Sequence, residues 1–111
     1  MIVKIKPLSI NECWKTAKKT RLQKTELYTN YQTELLYKLP RLDLPEKPLK
    51  ITLEFGFSNK ASDIDNPVKP FLDTLQEKYK FNDKDIYYLI VAKKIVEKGN
   101  EYIDFKIENL L

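Results

Sequence analysis

Between residues 50 and 57 the chain alternates strictly, with Ile51, Leu53, Phe55 and Phe57 on one side and Thr52 and Glu54 on the other. Successive strand residues point to opposite faces, so this pattern demands a strand with one buried and one wetted face. Such a strand needs neighbours in a sheet and a layer packed on one side. The residues that follow supply that layer. Asn66-Pro67 is a helix start, because Asn accepts from free N–H groups and Pro is tolerated at the first helical position. Val68, Phe71, Leu72, Leu75 and Tyr79 then recur at helical spacing to about residue 79, with Lys69, Asp73 and Gln76 on the polar side. Pro70 removes an early hydrogen bond, so an irregular first turn is expected.

The rest of the chain falls into place around this pair. Residues 25–39 carry Leu27, Tyr28, Tyr31, Leu35 and Leu39 at helical spacing, and Pro40, Pro45 and Pro48 end the helix in a stiff connection. Residues 2–6 alternate weakly as a short strand, which the segment 7–11 breaks. Residues 86–96 are too rich in β-branched and aromatic types to prefer helix. Gly99-Asn100 predicts a hairpin turn into a last strand over 102–107, with Ile103, Phe105 and Ile107 pointing one way. The expected order is β-α-β-α-β-β. This is an α+β fold, a mixed sheet of about four strands with two helices, formed as a single domain over residues 1–111.

At 111 residues and 42% hydrophobic content, one apolar core is affordable and two are not. No apolar run approaches the roughly 20 residues that cross a bilayer, and the first residues are too short and alternating for a secretory signal. A single cysteine, Cys13, points to a reducing cytoplasm as the expected compartment. The chain contains no histidine at all. This removes Ser-His and Cys-His nucleophiles, His-based zinc sites and histidine-base nucleases. Any metal must then sit among carboxylate oxygens, which suit Mg²⁺, Mn²⁺ or Ca²⁺.

The net charge of +4 is modest, but its distribution is not. Lys15, Lys18, Lys19, Arg21 and Lys24 crowd residues 12–24, opposed only by Glu12, with Trp14 among them. Such a run reads as a set of phosphate contacts or as a solvated segment. Trp14 reads as a stacking platform or a local packing residue.

Asp63-Ile64-Asp65-Asn66 carries the chemistry. In extended backbone residues i and i+2 share a face, so both carboxylates reach one metal while Ile64 points into the core. Lys69 follows four residues after Asp65, placed to stabilise charge on a phosphate. Asp83 comes after the helix, and the return strand is expected to bring it beside the first two. Each residue has a plainer role: Asp65 and Asn66 as caps, Lys69 as a partner of Asp73, Asp83 as a turn residue. A calcium EF-hand is excluded, because Pro67 and Val68 occupy the fifth and sixth positions.

The order Asp63-Ile64-Asp65-Asn66, Lys69, a helix containing Asp73, then Asn82-Asp83 resembles the core of RusA-like Holliday-junction endonucleases. Pro7-Leu8-Ser9-Ile10-Asn11, followed by Trp14, is similar to that family's N-terminal P-x-S-x-N signature. The resemblance runs from about residue 7 to 107. It implies that Asp63, Asp65 and Asp83 bind Mg²⁺ or Mn²⁺, that Lys69 is essential, and that a homodimer nicks two strands of a four-way DNA junction symmetrically. Two departures stand out. Asn82-Asp83 with Asp85 leaves a choice between Asp83 and Asp85 as third ligand, with spacing favouring Asp83. Only Lys60 precedes Asp63 where the family carries several arginines, which implies either weaker DNA affinity or DNA contacts moved to residues 15–24. The rival expectations are a non-catalytic nucleic-acid-binding domain, a nuclease for other branched DNA, and a protein-interaction module. A nucleoid-associated or phage-encoded enzyme is compatible with the same features.

Overall fold

A computed structural model describes residues 1–17 and 21–111. In chain order it contains β1 (Ile2–Val3), a 3-10 turn at Ile10–Glu12, β2 (Trp14–Ala17), β3 (Arg21–Lys24), α1 (Glu26–Lys38), β4 (Leu49–Phe57), α2 (Val68–Tyr79), a 3-10 turn at Asp83–Asp85, β5 (Ile86–Ile95) and β6 (Tyr102–Asn109). The main sheet has the order β1-β6-β4-β5, and β2 and β3 form a separate two-stranded ribbon. The α+β reading holds, with a mixed four-stranded sheet and two helices.

The alternation in β4 does what its period requires. Ile51, Leu53 and Phe55 are fully buried, while Thr52 and Glu54 lie on the wetted face. β4 pairs antiparallel with β6, setting Leu53 opposite Phe105 and Phe55 opposite Ile103. Phe71 of α2 packs edge-on against both Phe55 and Phe105, with ring centroids 6.1 and 5.7 Å apart. Leu35 and Leu39 of the α1 region and Leu75 of α2 complete the same layer. Burial of each such side chain stabilises by about 1.5–3 kcal/mol, so this one-sided layer fixes where the helices sit.

β4 pairs parallel with β5, Leu53 facing Val91 and Phe57 facing Ile95. Parallel neighbours require a crossover, and α2 provides it. β6 then lies on the other side of β4, so Gly99-Asn100 is no hairpin turn. The connection passes the end of β4, where Val96 N–H donates to the Phe57 carbonyl at 2.7 Å. Sequence proximity suggested pairing between β5 and β6, but the edges of β4 satisfied both strands first.

Other differences are local. The first strand pairs only at Ile2 and Val3. α2 begins at Val68, with Pro67 at the cap and no side-chain cap bond. Pro70 is therefore the third helical residue, where an N–H has no intrahelical partner in any case, and the first turn stays regular. Leu27, expected on the buried stripe of α1, is half exposed. Thr25 caps α1 by accepting from the Tyr28 N–H at 3.1 Å.

The ribbon β2–β3 was not foreseen, and it occupies the cationic run. Trp14 faces Lys24, Lys15 faces Gln23, Thr16 faces Leu22 and Ala17 faces Arg21. Its root is stitched by Thr25, whose N–H donates to the Cys13 carbonyl at 2.9 Å and whose hydroxyl donates to the Glu12 carbonyl at 2.7 Å.

Candidate functional site

Asp63 and Asp65 follow the C-terminal end of β4, in a bent segment rather than an extended one. The bend overturns the expected shared face. Ile64 is 45% exposed instead of entering the core. Asp63 accepts from the Asn66 side chain at 3.4 Å and lines a polar depression of about 300 Å³ with Ser9, Phe57, Ser62 and Asn66. Asp65 lines a different, open groove of about 360 Å³ with Ile64, Val68, Lys69, Leu72, Leu89 and Val91. The bend itself has a local cause: the Asp65 carbonyl accepts from Val68 N–H at 3.2 Å, and the Asn66 carbonyl accepts from Ile10 N–H at 2.8 Å. The segment 7–11 thereby anchors the acidic loop.

Asp83 does not return to this end of the sheet. α2 runs antiparallel to β4 and carries the chain back over 12 residues, about 18 Å at 1.5 Å per residue. Asp83 thus precedes the N-terminal end of β5, beside the start of β4 rather than its finish. Among the described residues no three His, Cys, Asp or Glu side chains converge on a position that could hold a metal ion. The donor chemistry, carboxylate oxygens alone, suits a hard divalent cation. The placement within one protomer does not form the chelate expected from Asp63, Asp65 and Asp83.

Lys69 spans part of that gap. From the first turn of α2 its ammonium lies 2.9 Å from Asp73 and 3.8 Å from Asp83. The Asp73 hydrogen bond, aided by Asp83 and opposed by partial burial, holds the lysine above its ordinary pKa. Asp83 is fixed through its backbone, its N–H donating to the Gln76 side chain at 2.8 Å. Asp85 is otherwise engaged: it pairs with Lys47 at 3.0 Å and accepts from the Asn82 N–H at 3.3 Å, and chiefly the Lys47 ammonium holds its carboxyl below the usual range. Of the two candidate third ligands, Asp83 is the one whose carboxylate faces Lys69.

Of the expected DNA contacts, Lys18 and Lys19 lie outside the described residues. Lys15 and Arg21 are exposed and share one face of the ribbon with Gln23. Lys24 lies on the opposite face, with its ammonium 4.9 Å from the centre of the Tyr28 ring and bonded to Gln32. Trp14, on that same face, packs edge-on against Tyr28 at 5.9 Å. Lys60 is exposed beyond β4, and its carbonyl accepts from Lys93 at 3.0 Å. Lys93 also donates to the Ser62 carbonyl, so it pins the loop that carries Asp63. Nothing in the sequence marked Lys93 for this role, because only the parallel register of β5 aligns it with Phe55 at the end of β4.

No family model matches the sequence, and no curated protein is significantly similar to it.

Proposed function

We propose that this protein is a divalent-metal-dependent endodeoxyribonuclease of branched DNA, four-way junctions foremost, acting as a homodimer in the cytoplasm. The observation that carries the reading is Lys69: an exposed ammonium in the first turn of α2, beside Asp65 in one groove and facing Asp83. Two of the three aspartates that the family resemblance names, Asp65 and Asp83, thus lie near one cation that can meet a phosphate. A lysine there offsets negative charge as it grows on phosphate oxygens during hydrolysis. The ribbon face bearing Lys15 and Arg21 adds a backbone contact, with affinity that falls steeply with salt.

The dimer supports the acidic set. β5 is the open edge of the sheet and exposes Tyr87, Tyr88, Leu89 and Ile90 along unpaired backbone. An open ten-residue edge strand, exposed and apolar from Tyr87 to Ile90, is a ready template for another strand. Antiparallel pairing of two β5 edges sets the acidic start of one, with Asp83 and Asp85, against the basic end of the other, with Lys93 and Lys94. It also carries one protomer's Asp83 to the end of the sheet where the other holds Asp63 and Asp65. A two-fold axis further matches the two opposed strands of a junction.

A second reading, a nucleic-acid-binding domain without catalysis, is favoured by the finding that no chelating cluster forms among the described residues. Four-way, flapped and linear DNA assayed side by side with Mg²⁺ or EDTA separate the two. Mg²⁺-dependent nicking that EDTA abolishes is expected. Binding without nicking of any substrate in Mg²⁺ or Mn²⁺ favours the second reading and sinks the first.

A further inference from the structure

The core contains two buried polar side chains among the described residues, Gln32 of α1 and Thr74 of α2. They are bonded to each other, the Gln32 amide donating to the Thr74 hydroxyl at 3.3 Å. Thr74 in turn donates to the Pro70 carbonyl at 2.9 Å, one residue from Lys69. At the other end the Gln32 side-chain oxygen accepts from Lys24 at the foot of the ribbon. Apolar side chains of like shape would fill this space without the desolvation penalty, so the pair is not explained by the stability of the core.

The line of bonds runs from the foot of the ribbon to the first turn of α2, the turn that carries Lys69. Beyond its stitched root, the ribbon meets the body through one face, with Trp14 and Lys24 on Tyr28. The opposite face, with Lys15 and Arg21, points away. Burial pushes the Tyr28 hydroxyl up to about 12 and the Cys13 thiol up to about 11, and the Asp73 carboxylate adds to both. The ribbon's dock on α1 and the Lys69–Asp73 pair on α2 therefore share one electrostatic neighbourhood.

We infer that Lys24, Gln32 and Thr74 form a latch that fixes the cationic ribbon to α1 and, through the Gln32–Thr74 bond, to α2, making Lys24 a positioning residue rather than a phosphate contact. The latch sets where phosphates held by Lys15 and Arg21 lie relative to Lys69. Its role in DNA selection rests on the nucleic-acid reading above; the docking itself does not.

Trp14 is the sole tryptophan, so its fluorescence reports docking directly. Acrylamide quenching of Trp14 should rise in Lys24→Met and Gln32→Leu, and rise less in Gln32→Glu, which keeps an acceptor for Lys24 but loses the donor to Thr74. Lys24→Met alters an exposed residue, so it keeps the test open where the core variant fails to fold. In DNA titrations the preference for a junction over linear duplex should fall by a factor of about 2–10, the worth of one hydrogen bond. The salt dependence of binding should stay unchanged, because no phosphate contact is lost. Unchanged quenching in Lys24→Met, or a salt slope lowered by about one in it, overturns the latch. If the wild-type protein binds no DNA at low salt, the functional reading fails while quenching still decides the latch.

Discussion

Lys69 and Asp83 face one another across 3.8 Å although they stand at the two ends of the crossover helix. Lys69 reaches along the flank of α2 past Asp73, and Asp83 is turned inward by its N–H bond to Gln76. The contact narrows the separation that the parallel β4–β5 pair imposes on the three aspartates, but does not close it. In the proposed dimer, a second copy paired along β5 would close it from outside.

Subunit mixing tests that arrangement. Asp63→Asn and Asp83→Asn should each abolish nicking while leaving junction binding intact. Random mixing of the two makes about half of the dimers mixed, and in a shared site each of these has one intact acidic set. The mixture should regain nicking, on one strand of the junction only. A mixture as inert as its parents would exclude a site shared across paired β5 edges.

Lys69→Ala separates chemistry from folding. The lysine side chain is 58% exposed, and surface pairs of this kind contribute about 0–1 kcal/mol, so the melting temperature should barely move. Nicking should fall about 100-fold or more, as when one preorganised charge-stabilising donor is removed. Because its folded pKa is raised, the ammonium persists as pH climbs past the ordinary lysine value, and its ion-pair stabilisation is lost only above that. A Lys69→Ala protein that cuts at the wild-type rate would remove Lys69 from the site.

Lys15→Ala and Arg21→Ala should each lower the slope of log affinity against log salt by about one and weaken binding to all DNA alike. Fluorescence anisotropy over a salt series reads this. A slope that stays constant in both variants excludes the outward face of the ribbon from the DNA interface.

Cys13 supplies a clock for opening of the ribbon root. It is fully buried, its thiol donates to the Ser9 carbonyl at 3.4 Å, and burial, with Glu12 and Asp73, raises its pKa from 9.0 to about 11. The thiolate is the reactive form, so alkylation at pH 8 should be slow in the native protein and fast after denaturation. The folded state holds this proton more tightly than the unfolded state. Its contribution to stability is therefore complete below about pH 9 and disappears as pH rises through about 11. Rapid native alkylation at pH 8 would show a root that is open in solution.

The sequence was most legible where one period decided the outcome. Alternation in residues 50–57 and the stripe from Val68 to Tyr79 each gave an element and its buried face, because apolar burial outweighs local alternatives there. Strand neighbours were less legible. Gly99-Asn100 has hairpin chemistry, but pairing is settled by which edges remain free, and β4 had two. The aspartates failed for a related reason: D-x-D spacing places both carboxylates together only on an extended backbone, and bonds from Val68 and Ile10 bend this one. Asp83 required the direction of β5 relative to β4, which no local pattern encodes. The ribbon was hidden because Lys15 to Lys24 carries too few apolar residues to show a strand period.

Gly56 marks a close approach on the wetted face, where strand pairing sets it opposite Tyr102. A Cβ built there would lie 2.3 Å from the Tyr102 ring, which is held in place by its hydroxyl's 2.7 Å bond to Glu54. That bond, ahead of burial, pushes the tyrosine up to about 12. Gly56→Ala must displace the ring and should destabilise by about 1–3 kcal/mol, the usual range for overpacking. In a Tyr102→Ala background the obstacle is gone, and alanine is favoured over glycine in a strand by about 0.5–1 kcal/mol. The effect of Gly56→Ala should therefore change sign between the two backgrounds in urea titrations. An equal loss in both would mean that the ring does not occupy the space above Gly56, and that the β4–β6 register at this end of the sheet differs from the one described.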